Sequence, residues 1–423
     1  MQDREQCAKA TARDDANPGA RGGPNRWGIR ALPLAQALRP FTRTGGFYAR
    51  SWATYLDRQP DELPATRPTL ALAAQAFSDE VVLLGFHLLR SAPDAKRLER
   101  IHEEVSAALE FYGEKGWLRE PETFFAAPPP LTEASIRDVS SMGHNYQRIF
   151  FDSEYQPSEG EPGRDRWLSY TGNEREYGLL LRHREPRPWL VCVHGAEMGR
   201  AVLDLMLFRA WHLHQRLGLN VVLPVLPMHG PRARGLPKGT AFPSEDVVDN
   251  VHGVAQAVWD IRRLLSWIRS QEPESPIGLN GISLGGYLTS LIASLESDLA
   301  CAIVNVPLAD LVELIASHAG QSQYQDLRQM LRSAKPISRM ISPLALTPRV
   351  PMEGRFLCAG IADRLVHPRN EATVLWEHWG RPEICWFAGS HTGFFRSRSV
   401  QRFIDSALVK SALVEPERFR DNR

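Results

Sequence analysis

Two apolar periods run along this chain. Val247, Val251, Val254, Val258, Ile261, Leu265 and Ile268 recur at steps of four and three, a single stripe down one helix. Two further stripes stand upstream: Leu70, Ala74, Phe77, Val81, Leu84 and Leu88, then Leu98, Ile101, Val105, Leu109 and Tyr112. Each predicts a helix with an apolar face that must be covered, as a helical pair at the edge or over the mouth of a larger domain. Short apolar runs of strand length lie at 189–194, 220–227, 276–279, 300–306, 355–361 and 383–387. Helical segments at 201–217, 370–379 and 398–409 fall between or after them. Such alternation predicts an α/β fold, a mostly parallel, doubly wound sheet with helices on both faces. Residues 146–155 and 177–183 alternate enough to be opening antiparallel strands, joined by a polar loop over 157–166.

The same pattern divides the chain. Residues 1–30 are polar and rich in Gly, Pro and Arg, so a disordered leader is expected, with no apolar core of signal-peptide length. Residues 31–130 read as a helical extension that ends at Pro128-Pro129-Pro130, and 146–413 as the α/β domain. One stretch breaks the alternation. Over 308–351, helical pieces at 309–319 and 324–334 and prolines at 336, 343, 348 and 351 stand where one crossover helix belongs.

Composition adds mainly exclusions. A net charge of +1 gives no electrostatic case for nucleic acid or an anionic membrane, and the 44 arginines are spread along the chain. The most hydrophobic stretch, 70–89, carries Asp79 and Glu80 at its centre. Two acids at mid-bilayer would cost several kcal/mol, so a water-soluble helix in a cytoplasmic protein without a transmembrane segment is expected. The five cysteines form no CxxC pair; Cys192, Cys301, Cys358 and Cys385 fall in strands, which predicts buried thiols with neither disulfide nor zinc. His212 and His214 are two apart on a helix and so point to different faces; no metal site is expected there.

The chemistry is concentrated at strand ends. Gly281-Ile282-Ser283-Leu284-Gly285 is a G-x-S-x-G pentapeptide between a strand and a helical pattern, where a serine on a sharp turn needs small neighbours on either side. The strand at 355–361 runs on to Asp363, that at 383–387 to His391, and that at 189–194 ends in His194-Gly195. With the elbow sequence Gly281-Ile282-Ser283-Leu284-Gly285-Gly286 and the order Ser, Asp, His, residues 146–413 resemble the α/β-hydrolase superfamily, closest to its serine esterase-like and prolyl-oligopeptidase-like catalytic domains.

That resemblance implies roles. Ser283 is the expected nucleophile, His391 the base and Asp363 the orienting acid, with Asp310 and Asp405 as competitors for the last role. The backbone N–H groups of Leu284 and Ala196 are the expected oxyanion hole, and 308–351 the expected lid. His194 is a further pocket candidate. Glu197 either meets a cationic substrate group or faces solvent. His229 and Arg232 either line the pocket, Arg232 as an anion contact, or belong to a structural loop. No cofactor is implied. The expected partner is a small acyl substrate, an ester first. Acyl transfer, thioester or peptide cleavage, and a non-catalytic binding scaffold remain open alternatives.

Overall fold

The computed structural model describes residues 37–57, 63–89, 94–141, 143–318 and 325–420. The leader expected over 1–30 lies outside them. The chain divides between Leu38 and Arg39, and the sheet, its helices and the site all belong to the second unit.

Nine strands form one sheet: β1 (Ser135–Ser141), β2 (His144–Asp152), β3 (Arg175–Leu181), β4 (Trp189–Val193), β5 (Asn220–Pro224), β6 (Ile277–Ile282), β7 (Leu299–Asn305), β8 (Arg355–Gly360) and β9 (Glu383–Phe387). Their order is β1-β2-β3-β5-β4-β6-β7-β8-β9. β1, β2, β3 and β5 pair antiparallel in turn, and every pairing from β5 onward is parallel. An antiparallel entry, an exchange of β4 and β5, and then a parallel run is the α/β-hydrolase arrangement, so the expected fold class holds.

The central strands are buried on both faces, and their alternation sorts the interior into two cores. Trp189, Val191, Val193, Leu279 and Val304 join the helices Val247–Gln271 and Leu284–Leu295 on one side. Leu190, Cys192, Ile303, Phe356 and Cys358 pack on the other side with Leu205, Phe208, Ile404 and Leu408. The cysteines here are free; Cys192, Cys301 and Cys358 are buried and Cys385 is half-buried.

Three features depart from the sequence pattern. Strand β1 has no signal in it: Ser-Ile-Arg-Asp-Val-Ser-Ser has only two apolar positions, and it survives as an edge strand because its backbone pairs with β2, Val139 opposite Tyr146. The helix expected over 201–217 is broken into Ala201–Leu207 and a π-helical turn, His212–Arg216, with Arg209 at φ 51 between them. The break lies over a leucine-rich run whose hydrophobicity alone conceals it. The interruption at 308–351 contains Leu311–His318 and Gln325–Ser333, and also a third helix, Lys335–Ile341. Pro336 sits in the first turn of that third helix, where no backbone N–H is required.

The two upstream stripes do not pair with each other. Helix Leu70–Leu89 packs along Arg39–Asp57, where Phe41 and Phe77 meet at 4.9 Å between ring centroids. Helix Ala95–Glu114 turns Ile101, Val105, Ala108 and Tyr112 into the first core, among Leu327, Met330, Leu331, Ile337 and Met340 of the interruption. Tyr287, on the helix after the serine, donates to the Ile341 carbonyl at 2.6 Å and ties that insertion to the sheet domain.

Candidate active site

Ser283 joins β6 to helix Leu284–Leu295 at φ 55, ψ −116, a backbone conformation that non-glycine residues adopt only where the surroundings impose it. The surroundings here are close. A Cβ on Gly281 would lie 2.2 Å from the Gly285 carbonyl oxygen, and one on Gly285 would lie 1.9 Å from that of Val193. Both positions therefore require glycine. Ser283 N–H donates to the Asn305 carbonyl at 2.9 Å, and the Asn305 amide donates to Asn280 Oδ1 at 2.7 Å and to the Gly281 carbonyl at 3.0 Å. Two buried asparagines on adjacent strands thus brace the turn. Sequence reasoning misses both.

The loop after β4 runs beside the serine. A Cβ on Gly195 would fall 3.3 Å from Ser283 Cβ and from the Ile282 carbonyl oxygen, so the backbone leading into Ala196 passes next to the side chain. Leu284 N–H belongs to the first turn of a helix, where such groups have no intrahelical partner.

Asp363 and His391 sit on loops after β8 and β9 whose backbones touch: Ala362 N–H donates to the Gly389 carbonyl at 2.9 Å. His391 Nδ1 and Asp363 Oδ2 are 2.7 Å apart. A carboxylate only accepts, so Nδ1 carries the proton and Nε2 is left bare. Asp363 Oδ1 accepts from Leu365 N at 3.0 Å and Val366 N at 2.7 Å, which fixes the carboxylate plane. Burial resists charging His391, but Asp363, by its charge and its hydrogen bond, and then the charge of Asp79 raise its titration above the ordinary histidine value. Burial pushes the Asp363 carboxyl up as well, against the lowering by His391.

In the sequence Asp79 serves only as an argument against a membrane span. In the fold it is fully buried, and its carboxylate meets the backbone of both loops: Oδ2 accepts from Arg364 N at 3.0 Å and His391 N at 2.9 Å, Oδ1 from Thr392 N at 3.0 Å and Thr392 Oγ1 at 2.7 Å. The stripe read in the sequence conceals it: Leu70, Ala74, Val81 and Leu88 are exposed, and the buried face of the helix carries Leu72, Ala76, Asp79 and Leu83, where a buried acid demands donors.

The competing acids are occupied elsewhere. Asp310 Oδ1 caps helix Leu311–His318 through Val312 N (3.1 Å) and Glu313 N (3.0 Å) and accepts from Ser338 Oγ at 2.5 Å. Asp405 pairs with Arg209 and with His212. His214 Nδ1 turns instead to the Leu219 carbonyl, so the two histidines serve different partners.

Three of the pocket candidates are buried and engaged within the fold. His194 is fully buried; its Nδ1 donates to the Gly195 carbonyl at 2.8 Å and its Nε2 accepts from Leu226 N at 3.0 Å. Burial, then the charges of His229 and Arg232, push it down to about 3. It is a neutral strut between two loops. Arg232 is no free anion contact either: fully buried, it is neutralised by Glu176 and Asp260 and donates to the carbonyls of Val225 and Asn173, each at 2.9 Å. His229 is buried too, its Nδ1 at 2.8 Å from the Pro227 carbonyl. Strand-end position draws attention to all three, but position does not reveal burial. Glu197, at φ 62, is exposed.

The chain is 61% identical over 410 residues to an uncharacterized protein of Mycobacterium tuberculosis (strain CDC 1551 / Oshkosh), covering 96% of this chain and 99% of that one. Among solved structures it is similar to an acetyl xylan esterase from Paenibacillus sp. R4 (16% identity, TM-score 0.48, 73% of this chain and 99% of that one). A second similar structure is acetyl xylan esterase 1 from Thermoanaerobacterium sp. JW/SL YS485 (14% identity, TM-score 0.47, 71% and 93%). No protein-family profile matches the chain. Among the described residues, no helix is long and apolar enough to cross a membrane.

Proposed function

The chain belongs to one family with the Mycobacterium tuberculosis protein and to the α/β-hydrolase superfamily, and from that premise we propose that it is a serine hydrolase cleaving a carboxylic ester through an acyl-enzyme on Ser283. The observation that carries the reading is a constellation at the carboxyl ends of the parallel strands. A serine in a strained strand-to-helix turn stands at the end of β6, and a histidine with its Nδ1 proton held by a buried carboxylate stands past the ends of β8 and β9, beyond β7 in the same sheet.

A serine hydroxyl is a poor nucleophile at neutral pH, so a base must take its proton as the carbonyl is attacked. In the proposed reaction His391 Nε2 accepts the Ser283 Oγ proton while Oγ bonds to the carbonyl carbon. The oxygen that becomes negative is met by the N–H groups of Leu284 and Ala196. Collapse expels the alcohol, protonated by His391, and water repeats the sequence to release the acid. Asp363 holds the imidazole in the required tautomer and stabilises the cation formed in each half. The insertion over 308–351 is proposed as the wall that selects the acyl group.

The test is labelling with a fluorophosphonate, followed by a panel of short and long p-nitrophenyl esters. Stoichiometric modification of Ser283 with turnover of at least one ester supports the reading. A folded protein that resists the probe at Ser283 rejects it.

A further inference from the structure

We propose that Asp79, on helix Leu70–Leu89, is a positioning residue that sets the distance between the acid and base loops, so that the site is complete only when this helix is docked. The inference rests on the hydrolase reading and adds to it a dependence on an element well outside the sheet.

Its geometry is that of a tie. A single oxygen, Asp79 Oδ2, accepts from the backbone N–H next to Asp363 and from that of His391 itself. The second oxygen takes the N–H and hydroxyl of Thr392. Both loops are therefore held by one carboxylate that contributes nothing to the reacting atoms. Three half-buried backbone donors would lose their partner with it, and such donors are driven to find another by moving.

Neighbouring side chains repeat the arrangement. Gln75, one turn earlier, accepts from Ser390 N at 3.1 Å. Glu80 accepts from Arg364 Nε at 3.0 Å and Arg43 Nη1 at 3.3 Å, which anchors the same face of the helix to the acid loop and to helix Arg39–Asp57. The Gln75 amide lies close against the loop. Cβ atoms on Gly389 and Gly393 would lie 2.9 Å and 2.7 Å from Gln75 Oε1.

Two consequences can be separated. Loss of the tie lets His391 drift from Ser283, and a displacement of about 1 Å costs on the order of 100-fold in rate. Loss of the charge acts differently. The charged groups that face His391 are Asp363 on the loop after β8 and Asp79 on the helix, and both favour the imidazolium. Removing Asp79's charge lowers the pH at which His391 becomes neutral, so the acid limb of reactivity moves to lower pH.

The experiment measures fluorophosphonate labelling of the full chain against pH for the wild type, Asp79→Asn, Gln75→Leu and Ser283→Ala, with a thermal melt of each. The expected result is a 10- to 100-fold lower plateau and a lower acid midpoint for Asp79→Asn, and a lower plateau at unchanged midpoint for Gln75→Leu, which removes a contact without removing charge. Wild-type plateau and midpoint in a folded Asp79→Asn overturn the proposal. If Asp79→Asn does not melt cooperatively, the Gln75→Leu plateau decides, and a wild-type value there overturns the proposal. Absence of Ser283-dependent labelling in the wild type instead defeats the hydrolase reading on which this rests.

Discussion

The serine side and the acid–base side of the site are built on different physics. Ser283 is held by steric contact and backbone bonds: glycines that admit no Cβ, a carbonyl from the adjacent strand, and two asparagines within 25 positions of each other. His391 and Asp363 lie on loops whose separation is governed by a side chain some 300 positions upstream. The first arrangement cannot be adjusted without unmaking the turn. The second rests on side-chain hydrogen bonds to one helix, which a single substitution removes while the turn at Ser283 keeps all its contacts.

The comparison breaks most decisively at the nucleophile. Ser283→Ala is expected to abolish probe labelling and ester turnover while the melt is preserved, since only one part-exposed hydroxyl is lost; residual labelling would place the nucleophile elsewhere. On the opposite side, Asp363→Asn should keep the geometry but favour the wrong imidazole tautomer. Turnover should fall by about 10⁴-fold. A loss under tenfold would remove Asp363 from the relay.

Gly285→Ala sharpens the contrast in stability. Its methyl has no room against the Val193 carbonyl, so urea unfolding should reveal a loss of about 3 kcal/mol or more. A loss below 1 kcal/mol would show that the turn yields more readily than its contacts imply. The smallest effect concerns pH. His391 must be neutral to act as base, and because its titration is raised, reactivity should fall as pH drops through a midpoint above about 6.5. A midpoint at or below that value would mean that burial outweighs the two carboxylates.

Much of the α/β framework is legible in the sequence because its causes are local. Apolar runs of four to eight residues between helical stripes read as strands, and β4 to β9 appear where those runs lie. The elbow is legible for the same reason, since a turn that excludes Cβ atoms leaves glycines at fixed spacing. Strand β1 is not, because an edge strand needs only backbone pairing and its side chains carry little signal. The alternative left open for Arg232 has a parallel origin: a lone arginine in a loop reads equally as an anion contact or a structural residue until Glu176 and Asp260, 56 and 28 positions away, are seen to neutralise it.

Helix Leu70–Leu89 marks the boundary most clearly. Sequence by itself determined that it is a helix and that two acids near its middle make a bilayer costly, but the stripe read in it is largely exposed, and the buried face is that of Leu72, Ala76 and Leu83. Which donors those acids meet was decided only by tertiary structure. In a helix apolar nearly all round, periodicity does not settle which face is covered, and the partner of a buried carboxylate is whichever backbone the folded chain brings within about 3 Å of it, an encounter that no local pattern records.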